Sequence, residues 1–292
     1  MRGGARRVGI LGHVGRPAVR RAALRLRATL ARQGREVRLD ELLAAELETP
    51  GWPLDQLARW CQILVTLGGD GTVLAGARAL AGRRGALLGV NLGGLGFLAA
   101  AEARELDAAL RATLAGRWPV ARRRLVRIAV QRRGRRVRGG LAMNDAVIKG
   151  AGGYAAVHLR LAALGQDLGH LVADGLITAS AAGSTAYSLS AGGPLIAPDL
   201  EALVVTPVCP HSLGSRSLVL TSDAELSVTV IGSFDRVLLL LDGQDSFPLE
   251  RRDEVRIRLA RAAARLVRNP QRPFVRALKT KLGWQGSLKR SL

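Results

Sequence analysis

A short run of glycines around one carboxylate has the residue types of a phosphoryl-transfer site. Gly68-Gly69-Asp70-Gly71-Thr72 follows the apolar run at residues 63–67 and precedes a helical pattern that begins near Val73. Glycines let backbone N–H groups approach phosphate oxygens, and the N-terminus of the following helix adds favourable partial charge. A carboxylate repels phosphate, so Asp70 either holds a metal ion or takes a proton from an attacking hydroxyl.

Small side chains and hydroxyls dominate a second cluster at residues 174–194. Gly183, Ser184 and Thr185 precede a short predicted helix, where backbone amides and hydroxyls could bind a phosphate or a ribose. Tyr187 could stack on a base. Alternatively, the hydroxyls only cap the helix and Gly192-Gly193-Pro194 only ends it. We favour the binding interpretation because this cluster accompanies the glycine–aspartate motif.

The first 115 or so residues alternate strand and helix signals. A helix is predicted from Pro17, closed by Gly34, because apolar residues recur on one face at positions 19, 23, 26 and 30. The alternation predicts a doubly wound α/β domain with a mostly parallel sheet, and places Asp70 and Asn91 at carboxyl ends of strands, where ligands collect. The predicted strands cover residues 7–12, 36–39, 63–68 and 86–90, and the other predicted helices cover residues 54–60, 73–81 and 102–114.

After Trp118-Pro119 the pattern changes to short alternating or β-branched runs, which predict a mainly β domain with one helix, at residues 184–191. Turns are predicted at Arg133-Gly134, Gly165-Gln166 and Asp242-Gly243. No flexible linker marks the change, so we expect a tight junction with a site in the cleft. The predicted strands cover residues 125–132, 135–141, 146–149, 155–163, 203–206, 217–220, 226–231, 236–241 and 255–259.

Composition indicates a globular protein. The chain has 292 residues, of which 48% are hydrophobic, enough for one large or two ordinary domains. No run of 18 uncharged apolar residues and no signal-peptide pattern is present, so we expect a cytoplasmic protein without a membrane segment. Cys61, in a predicted buried strand, and Cys209 lack the paired spacing of a zinc site or a disulfide framework, and we expect both to be reduced thiols.

The formal net charge of +21 comes from two arginine-rich segments, residues 117–138 and 251–292. In both segments arginines alternate with apolar residues, as on half-exposed strands, so a solvated strand face is the favoured explanation. A basic surface that attracts polyanionic nucleotides is the alternative. A nucleic-acid-binding protein is a further alternative, but only 3% of residues are aromatic and no nucleic-acid motif is recognised.

Taken together, the motifs resemble those of bacterial NAD kinases over residues 8–286. The glycine–aspartate motif alone would also fit lipid kinases of the diacylglycerol kinase type or phosphofructokinases, and a lipid kinase is the alternative we retain. The resemblance implies transfer of the terminal phosphoryl group of ATP, or of polyphosphate, to the 2′-hydroxyl of the adenosine ribose of NAD, which yields NADP. The matching motifs are residues 68–72, Asn91-Leu92-Gly93-Gly94-Leu95-Gly96-Phe97-Leu98, Asn144-Asp145-Ala146-Val147, Asp174-Gly175-Leu176-Ile177, residues 183–194, Pro207-Val208-Cys209-Pro210-His211-Ser212-Leu213, Asp242-Gly243-Gln244 and Lys279-Thr280-Lys281-Leu282-Gly283-Trp284.

The resemblance also implies roles for individual residues. Asp70 corresponds to the catalytic base, and Asn144 with Asp145 corresponds to an Asn-Glu pair that binds ribose hydroxyls. Mg²⁺ or Mn²⁺ on the donor phosphates would offset charge during transfer. The residues that correspond to phosphate-binding positions are Gly68, Gly69, Gly71 and Thr72, and those that correspond to NAD-contacting positions are Asp70, Gly71, Asn144, Asp145, Asp174, Thr185, Ala186, Tyr187, Ser188, Leu189, Ser190 and Gln244.

Domain limits and assembly follow from the same resemblance. We expect an α/β domain over residues 1–117, onto which residues 269–292 pack back, and a mainly β NAD-binding domain over residues 118–268. Family members are dimers or tetramers, so we expect a homodimer or homotetramer whose small-molecule partners are NAD and ATP or polyphosphate.

Overall fold

The computed structural model describes residues 5–94, 96–152, 156–233 and 235–283. Their Cα positions divide into two compact units. The first contains the described residues of Met1–Val73, Ala86–Ala121 and Leu266–Leu292, and the second contains Leu74–Gly85 and the described residues of Arg122–Arg265. The domain limits expected from the sequence remain a prediction.

The first unit has a parallel sheet in the order β2-β1-β3-β4. The chain moves from β1 to one side and then returns to the other, so the topological switch point lies between β1 and β3. The doubly wound prediction is therefore confirmed. The elements in chain order are β1 (Arg7–Gly12), α1 (Pro17–Arg32), β2 (Glu36–Leu39), α2 (Glu41–Glu46), α3 (Leu54–Trp60), β3 (Ile63–Gly68), α4 (Asp70–Leu80, which enters the second unit at Leu74), β4 (Ala86–Asn91), β5 (Ala101–Glu102) and α5 (Leu106–Leu114).

Helix α1 buries the face that the sequence predicts. Pro17 is its first residue, and Gly34, with φ +65°, ends the segment as predicted. The four apolar side chains pack on the parallel sheet, and burying each Leu contributes about 1.5–3 kcal/mol of hydrophobic stabilisation. They are Val19, Ala23, Leu26 and Leu30, all fully buried.

Three predictions in the first unit need correction. Helix α4 begins at Asp70 rather than near Val73, because the N–H groups of Thr72 and Val73 already bond to the carbonyl of Gly69. Cys61 is buried, but it follows the last residue of α3 and its N–H bonds to the carbonyl of Leu57, so it is not in a strand. The helix predicted over residues 102–114 is a 3₁₀ turn followed by α5.

Helix α2 is an element that the sequence pattern did not predict. The buried carboxylate of Asp40 accepts hydrogen bonds from the N–H groups of Leu42 and Leu43 and so caps this helix. Asp40 also accepts the N–H of Gly12 at 3.0 Å. One side chain therefore fixes both the start of α2 and the carboxyl end of β1.

The second unit is mainly β, as predicted. One sheet contains β10-β9-β14-β17 with β6 and β7 beside it, and the other is antiparallel in the order β13-β12-β11-β8-β15-β16. One apolar core contains buried residues of both sheets. The elements are β6 (Val120–Arg132), β7 (Arg135–Ala142), β8 (Asp145–Gly150), β9 (Val157–Ala163), β10 (Gln166–Ala173), β11 (Gly175–Ser180), α6 (Tyr187–Ser190), β12 (Leu203–Val208), β13 (Leu218–Leu220), β14 (Glu225–Ser233), β15 (Val237–Leu241), β16 (Asp245–Leu249) and β17 (Glu254–Val267).

Several predictions in this unit were incomplete. Strands β10, β11 and β16 were not predicted, and the turn expected at Gly165-Gln166 is at Leu164 and Gly165, which both have positive φ. The helix expected over residues 184–191 is a 3₁₀ turn, Ala182–Thr185, followed by α6. Ala155, expected to begin β9, lies outside the described residues. The first unit ends with helix α7 (Phe274–Leu282).

The arginine-rich strands behave in two ways. In β17 Arg256 and Arg258 are exposed between buried apolar residues, which confirms the solvated strand face there. In β6 Arg123 is instead buried, and it forms an ion pair with Asp199 at 2.9 Å. Part of the positive charge is therefore matched inside the unit.

Cys61 is buried and Cys209 is exposed, and these two cysteines are not joined by a disulfide bond. Within the described ranges, we find no helix with the length and apolar character needed to span a membrane.

Candidate active site

In the first unit the glycine–aspartate motif forms the connection from β3 to α4. Gly68 is the last residue of β3 and pairs with Asn91 at the end of β4. A Cβ at Gly68 would lie 2.3 Å from Oγ1 of Thr72, so a larger residue would clash with the first turn of α4. The motif therefore places Asp70 in that first turn, at the carboxyl edge of the sheet, where a negative charge is favourable.

The Asp70 carboxylate is held on one side only. Its Oδ2 accepts the N–H of Phe97 at 3.0 Å, and its Oδ1 is buried without a hydrogen-bond partner. A Cβ at Gly96 would lie 1.7 Å from that Oδ1. Gly96 is therefore required for the carboxylate to occupy this position, and an unsatisfied buried oxygen is a group that a reacting proton or a cation can engage.

Asn91 shapes the neighbouring loop. Its Oδ1 accepts the N–H of Gly93 at 2.9 Å and its Nδ2 donates to the carbonyl of Gly94 at 2.7 Å. The buried side chain thus holds its own turn together. Leu95, in the same motif, lies outside the described residues.

The C-terminal segment contributes a cation to this part of the first unit. Nζ of Lys281 in α7 lies 4.8 Å from the ring centroid of Phe97. Arg272, just before this helix, forms ion pairs with Glu102 and Glu105. The motif that includes Lys281 therefore reaches the loop that bonds to Asp70, whereas its Trp284 lies outside the described residues.

In the second unit Asp242 organises the turn that contains Asn144 and Asp145. The Asp242 side chain is fully buried and accepts N–H bonds from Met143 at 2.9 Å, Asn144 at 2.7 Å and Asp145 at 3.2 Å. Its own N–H donates to the carbonyl of Asp145 at 3.0 Å. The predicted turn at Asp242-Gly243 is confirmed, with φ of +51° and +63°.

Of the Asn-Asp pair, Asp145 is buried and Asn144 is partly buried. Oδ1 of Asn144 is buried without a hydrogen-bond partner. Burial, reinforced by the negative charge of Asp242, raises the pKa of Asp145 to about 7. Near neutral pH the Asp145 carboxyl is therefore present in both forms, so that it can donate or accept a hydrogen bond.

The small-residue segment packs directly on this turn. Ser180 donates its N–H to the carbonyl of Asn144 at 2.8 Å and its hydroxyl to the carbonyl of Met143 at 2.7 Å. A Cβ at Gly183 would lie 2.1 Å from the carbonyl oxygen of Asn144. Because Gly183 has no side chain, the backbone of residues 180–183 can pack directly against Asn144.

The hydroxyls that follow bond within the unit. Ser184 donates to the carbonyl of Ala181 and Thr185 to the carbonyl of Ala182, so neither hydroxyl caps α6, whose N-terminus has no side-chain cap. The Ser188 hydroxyl is buried 2.9 Å from that of Thr206, and a Cβ at Gly193 would lie 2.2 Å from it. These side chains fix the loop before and within α6.

A cleft of about 370 Å³ lies in the second unit, and four of the predicted NAD-contacting residues line it. The four are Asn144, Asp145, Ala186 and Tyr187. The cleft is not lined by Thr185, Ser188, Leu189, Ser190 or Gln244. The first four lie within three residues of Ala186 or Tyr187 in the chain, and Gln244 follows the lining residue Gly243. Asp174 is exposed just before β11. Along the strand it is roughly 17 Å from Ala179, the residue of β11 that pairs with Asp145. The structure thus does not place Asp174 in this cleft.

Three candidate residues, Arg78, Asp242 and Gly96, were not given a role from the sequence. Arg78 donates from Nη1 to Asp242 and from Nη2 to Oε1 of Gln244, both at 2.5 Å. Arg78 is one of many arginines and carries no local signal, whereas Asp242 was quoted only as part of a motif. Gly96 could have been found, since it stands in a quoted glycine-rich motif.

The described ranges contain no cluster of three or more His, Cys, Asp or Glu side chains that could hold a metal ion. The free Oδ1 of Asp70 is the carboxylate oxygen in the first-unit motif that a cation could contact. Such a donor set fits a divalent cation that takes most of its ligands from phosphate and water.

Comparison with known proteins gives two family matches. The model described as ATP-NAD kinase N-terminal domain matches residues 52–118, and that described as ATP-NAD kinase C-terminal domain matches residues 143–269. The NAD kinase of Desulforamulus reducens is 38% identical over 262 residues, which cover 89% of this chain and 91% of that protein. The NAD kinase of Syntrophotalea carbinolica is 35% identical over 281 residues, 96% of this chain and 99% of that protein.

Solved structures give the same result at the level of the fold. Yeast NADH kinase complexed with NADH superposes with a TM-score of 0.90 and 26% identity, covering 100% of this chain and 91% of that chain. An NAD kinase from Archaeoglobus fulgidus in complex with ATP superposes with a TM-score of 0.75 and 24% identity, covering 96% of this chain and 100% of that chain.

Proposed function

The chain belongs to the NAD kinase family, and on this basis we propose which residues bind the substrates and which residue accepts the proton. The protein transfers the terminal phosphoryl group of ATP to the 2′-hydroxyl of the adenosine ribose of NAD, which yields NADP. The relatives and structures described above are NAD or NADH kinases, so the lipid-kinase alternative has no support.

Asp70 is the general base in this proposal. As the ribose oxygen forms its bond to the terminal phosphorus, the hydroxyl proton passes to Asp70 and the bond from phosphorus to the leaving ADP oxygen breaks. The observation that carries this role is the asymmetric carboxylate, whose Oδ2 is bound by the N–H of Phe97 while Oδ1 is free of hydrogen bonds. The fixed oxygen orients the group, and the other accepts the proton.

The cleft of the second unit holds the adenosine ribose. Asn144 offers a buried, unsatisfied Oδ1, and Asp145 offers a carboxyl whose pKa of about 7 suits hydrogen bonds of either direction to ribose hydroxyls. The ring of Tyr187, which is 43% exposed, is available to stack on the adenine. By the family resemblance Asp145 corresponds to the Glu of an Asn-Glu pair, so the acceptor is kept and its reach is one methylene shorter.

The remaining positions are proposed from the family pattern. Gly68, Gly69, Gly71 and Thr72 bind donor phosphates at the start of α4, where backbone groups and the helix N-terminus favour anions. Asp174, Thr185, Ser188, Leu189, Ser190 and Gln244 contribute further contacts to NAD. For Ser188 the contact uses atoms other than the hydroxyl, which bonds to Thr206.

A divalent cation completes the proposal. Mg²⁺ or Mn²⁺ would neutralise charge on the donor phosphates and would take most of its ligands from phosphate and water, so that Oδ1 of Asp70 stays available to accept the ribose proton. We further propose that the protein is cytoplasmic, that it is a homodimer or homotetramer, and that polyphosphate can replace ATP.

A donor and acceptor scan tests the function. Purified protein with Mg²⁺, ATP and NAD is expected to form NADP, detected by an NADP-specific dehydrogenase that reduces the product. NADH replaces NAD, and polyphosphate replaces ATP, in parallel reactions. Diacylglycerol with ATP serves as the acceptor control. Phosphorylation of the lipid without formation of NADP would overturn the proposal.

A further inference from the structure

Arg78 links two polar side chains of the second unit. It lies in α4, where one guanidinium nitrogen binds the carboxylate of Asp242 and another binds the side-chain oxygen of Gln244. The Arg78 side chain is 23% exposed, whereas that of Asp242 is 0% exposed. The pair is therefore a largely desolvated charge pair, in which geometry matters more than at the surface.

Asp242, which Arg78 binds, holds the backbone of residues 143–145 by hydrogen bonds. Its two oxygens accept the N–H groups of Met143, Asn144 and Asp145, so three consecutive amides are oriented by one carboxylate. A charged acceptor binds such amides more strongly than a neutral one. The positions of Asn144 and Asp145 therefore both depend on the Asp242 carboxylate staying in place.

The charge balance of the cluster requires Arg78. Asp145 and Asp242 are neighbouring carboxyl groups, and repulsion between them contributes to the raised pKa of Asp145. Without the guanidinium, Asp242 would be a buried carboxylate beside a second acidic group. An uncompensated buried charge is costly, so the carboxylate would move toward water, which weakens its hold on the three amides.

We propose that Arg78 is a positioning residue for NAD: through Asp242 it fixes the turn at residues 143–145 that presents Asn144 and Asp145 to the ribose. This inference rests on the proposed function of that pair. Arg78 does not line the cleft itself, so its effect reaches the substrate through the turn. Both guanidinium contacts are used, which a lysine ammonium can reproduce only in part.

The test is a kinetic comparison of Arg78→Met and Arg78→Lys with the unaltered enzyme. For Arg78→Met we expect KM for NAD to rise by at least about tenfold, in line with the loss of one partner of a buried charge pair. KM for ATP should change by less than about twofold, and Arg78→Lys should restore part of the loss. Because Asp242→Asn removes the same charge pair, its effect and that of Arg78→Met should not add in the double variant.

Arg132→Met is the matched control. Arg132 binds the carboxylate of Asp253, which is 1% exposed, through two nitrogens in the same unit. Asp253 accepts the N–H of Glu250 rather than those of the ribose-binding turn, so this variant loses a comparable ion pair and should leave KM for NAD unchanged.

Equal shifts in KM for NAD in Arg78→Met and Arg132→Met, or no shift in Arg78→Met, would overturn the inference. If Arg78→Met does not fold, Arg78→Lys and Asp242→Asn carry the same comparison, and unchanged KM for NAD in both has the same meaning. Failure of the proposed function is separate, since the unaltered enzyme would then form no NADP.

Discussion

The backbone N–H of Phe97 donates a 3.0 Å hydrogen bond to Oδ2 of Asp70, and the second oxygen of the same carboxylate is buried without a partner. This bond links the loop after β4 to the first turn of α4. It fixes the orientation of the carboxylate with a backbone group. The chemistry proposed for Asp70 depends on this asymmetry.

Asp70→Asn is expected to remove most of the turnover and to leave NAD binding intact. The amide oxygen can still accept the N–H of Phe97, but the side chain can no longer accept the ribose proton, and general-base catalysis is commonly worth about 10²–10⁴ in rate. Steady-state kcat and calorimetric titration with NAD measure the two effects.

Asp55→Asn controls for the loss of a carboxylate in the first unit. Asp55 is on α3 and its side chain is 55% exposed, so its substitution should change neither kcat nor NAD affinity. Undiminished turnover in Asp70→Asn would show that Asp70 is not the base.

Gly96→Ala is expected to damage catalysis through Asp70. The added Cβ would lie 1.7 Å from Oδ1, so the carboxylate must leave its position or the loop must shift. We expect kcat to fall by at least about 10²-fold, the size of effect that displacement of a reacting group by about 1 Å can produce.

Gly94→Ala is the matched control in the same loop, since a Cβ at Gly94 would meet nothing within 4 Å. Its kcat should stay close to that of the unaltered enzyme. If both alanine variants lose the same activity, general loosening of the loop is responsible and the contact with Asp70 is not.

Asp145→Asn is expected to change how stability depends on pH. The pKa of Asp145 is raised from 3.8 to about 7 in the folded protein, chiefly by burial, so the folded state favours the protonated form. The stability associated with that proton is present below the unfolded pKa and is lost as pH rises through about 7. The asparagine variant does not titrate, so its melting temperature relative to the unaltered protein should rise between pH 4.5 and pH 8, by several degrees.

Differential scanning fluorimetry across this pH range measures the difference. A difference in melting temperature that stays constant with pH would contradict the raised pKa of Asp145. A difference that falls with pH would indicate that this pKa is lowered. Because Asp145 faces the cleft, KM for NAD should rise in the same variant.

Chelation of divalent cations by EDTA should stop turnover without unfolding the protein. In the proposal the cation takes most of its ligands from the donor phosphates and water. The rate should return on addition of Mg²⁺ or Mn²⁺, and the melting temperature without nucleotide should stay within about 1 °C throughout. A large fall in melting temperature with EDTA would instead indicate a structural metal site.

Local sequence patterns were enough to predict an element when its apolar residues recur on one face and that face is buried. Helix α1 follows from apolar spacing and Pro17, and β17 from the alternation around Arg256 and Arg258. Strand β11, in contrast, is buried on both faces and includes Thr178 and Ser180, so its residues lack the alternation that marks a half-exposed strand. The start of α4 was misplaced because glycines near a helix N-terminus resemble a loop.

In the candidate site, too, some residues could be predicted from the sequence and others could not. Asp70, Asn144 and Asp145 could be named from motifs, because each motif is short and continuous. The pair of Arg78 and Asp242 joins positions 164 residues apart, and nothing in the local sequence of Arg78 indicates the ion pair. The environment that shifts the pKa of Asp145 likewise depends on burial and on Asp242, which only the folded chain brings together.

Close packing around the small-residue segment also bears on which variants this enzyme can accumulate over evolution. Gly183 and Gly193 each leave less than 3.0 Å between a new Cβ and neighbouring atoms, so even alanine is excluded there. Gly192 has open space, but its φ of +80° favours glycine or asparagine. In a library of all single substitutions, glycines that perform no chemistry should be depleted as strongly as Asp70, the proposed base. Invariance in such a segment would thus record steric exclusion as much as contact with NAD.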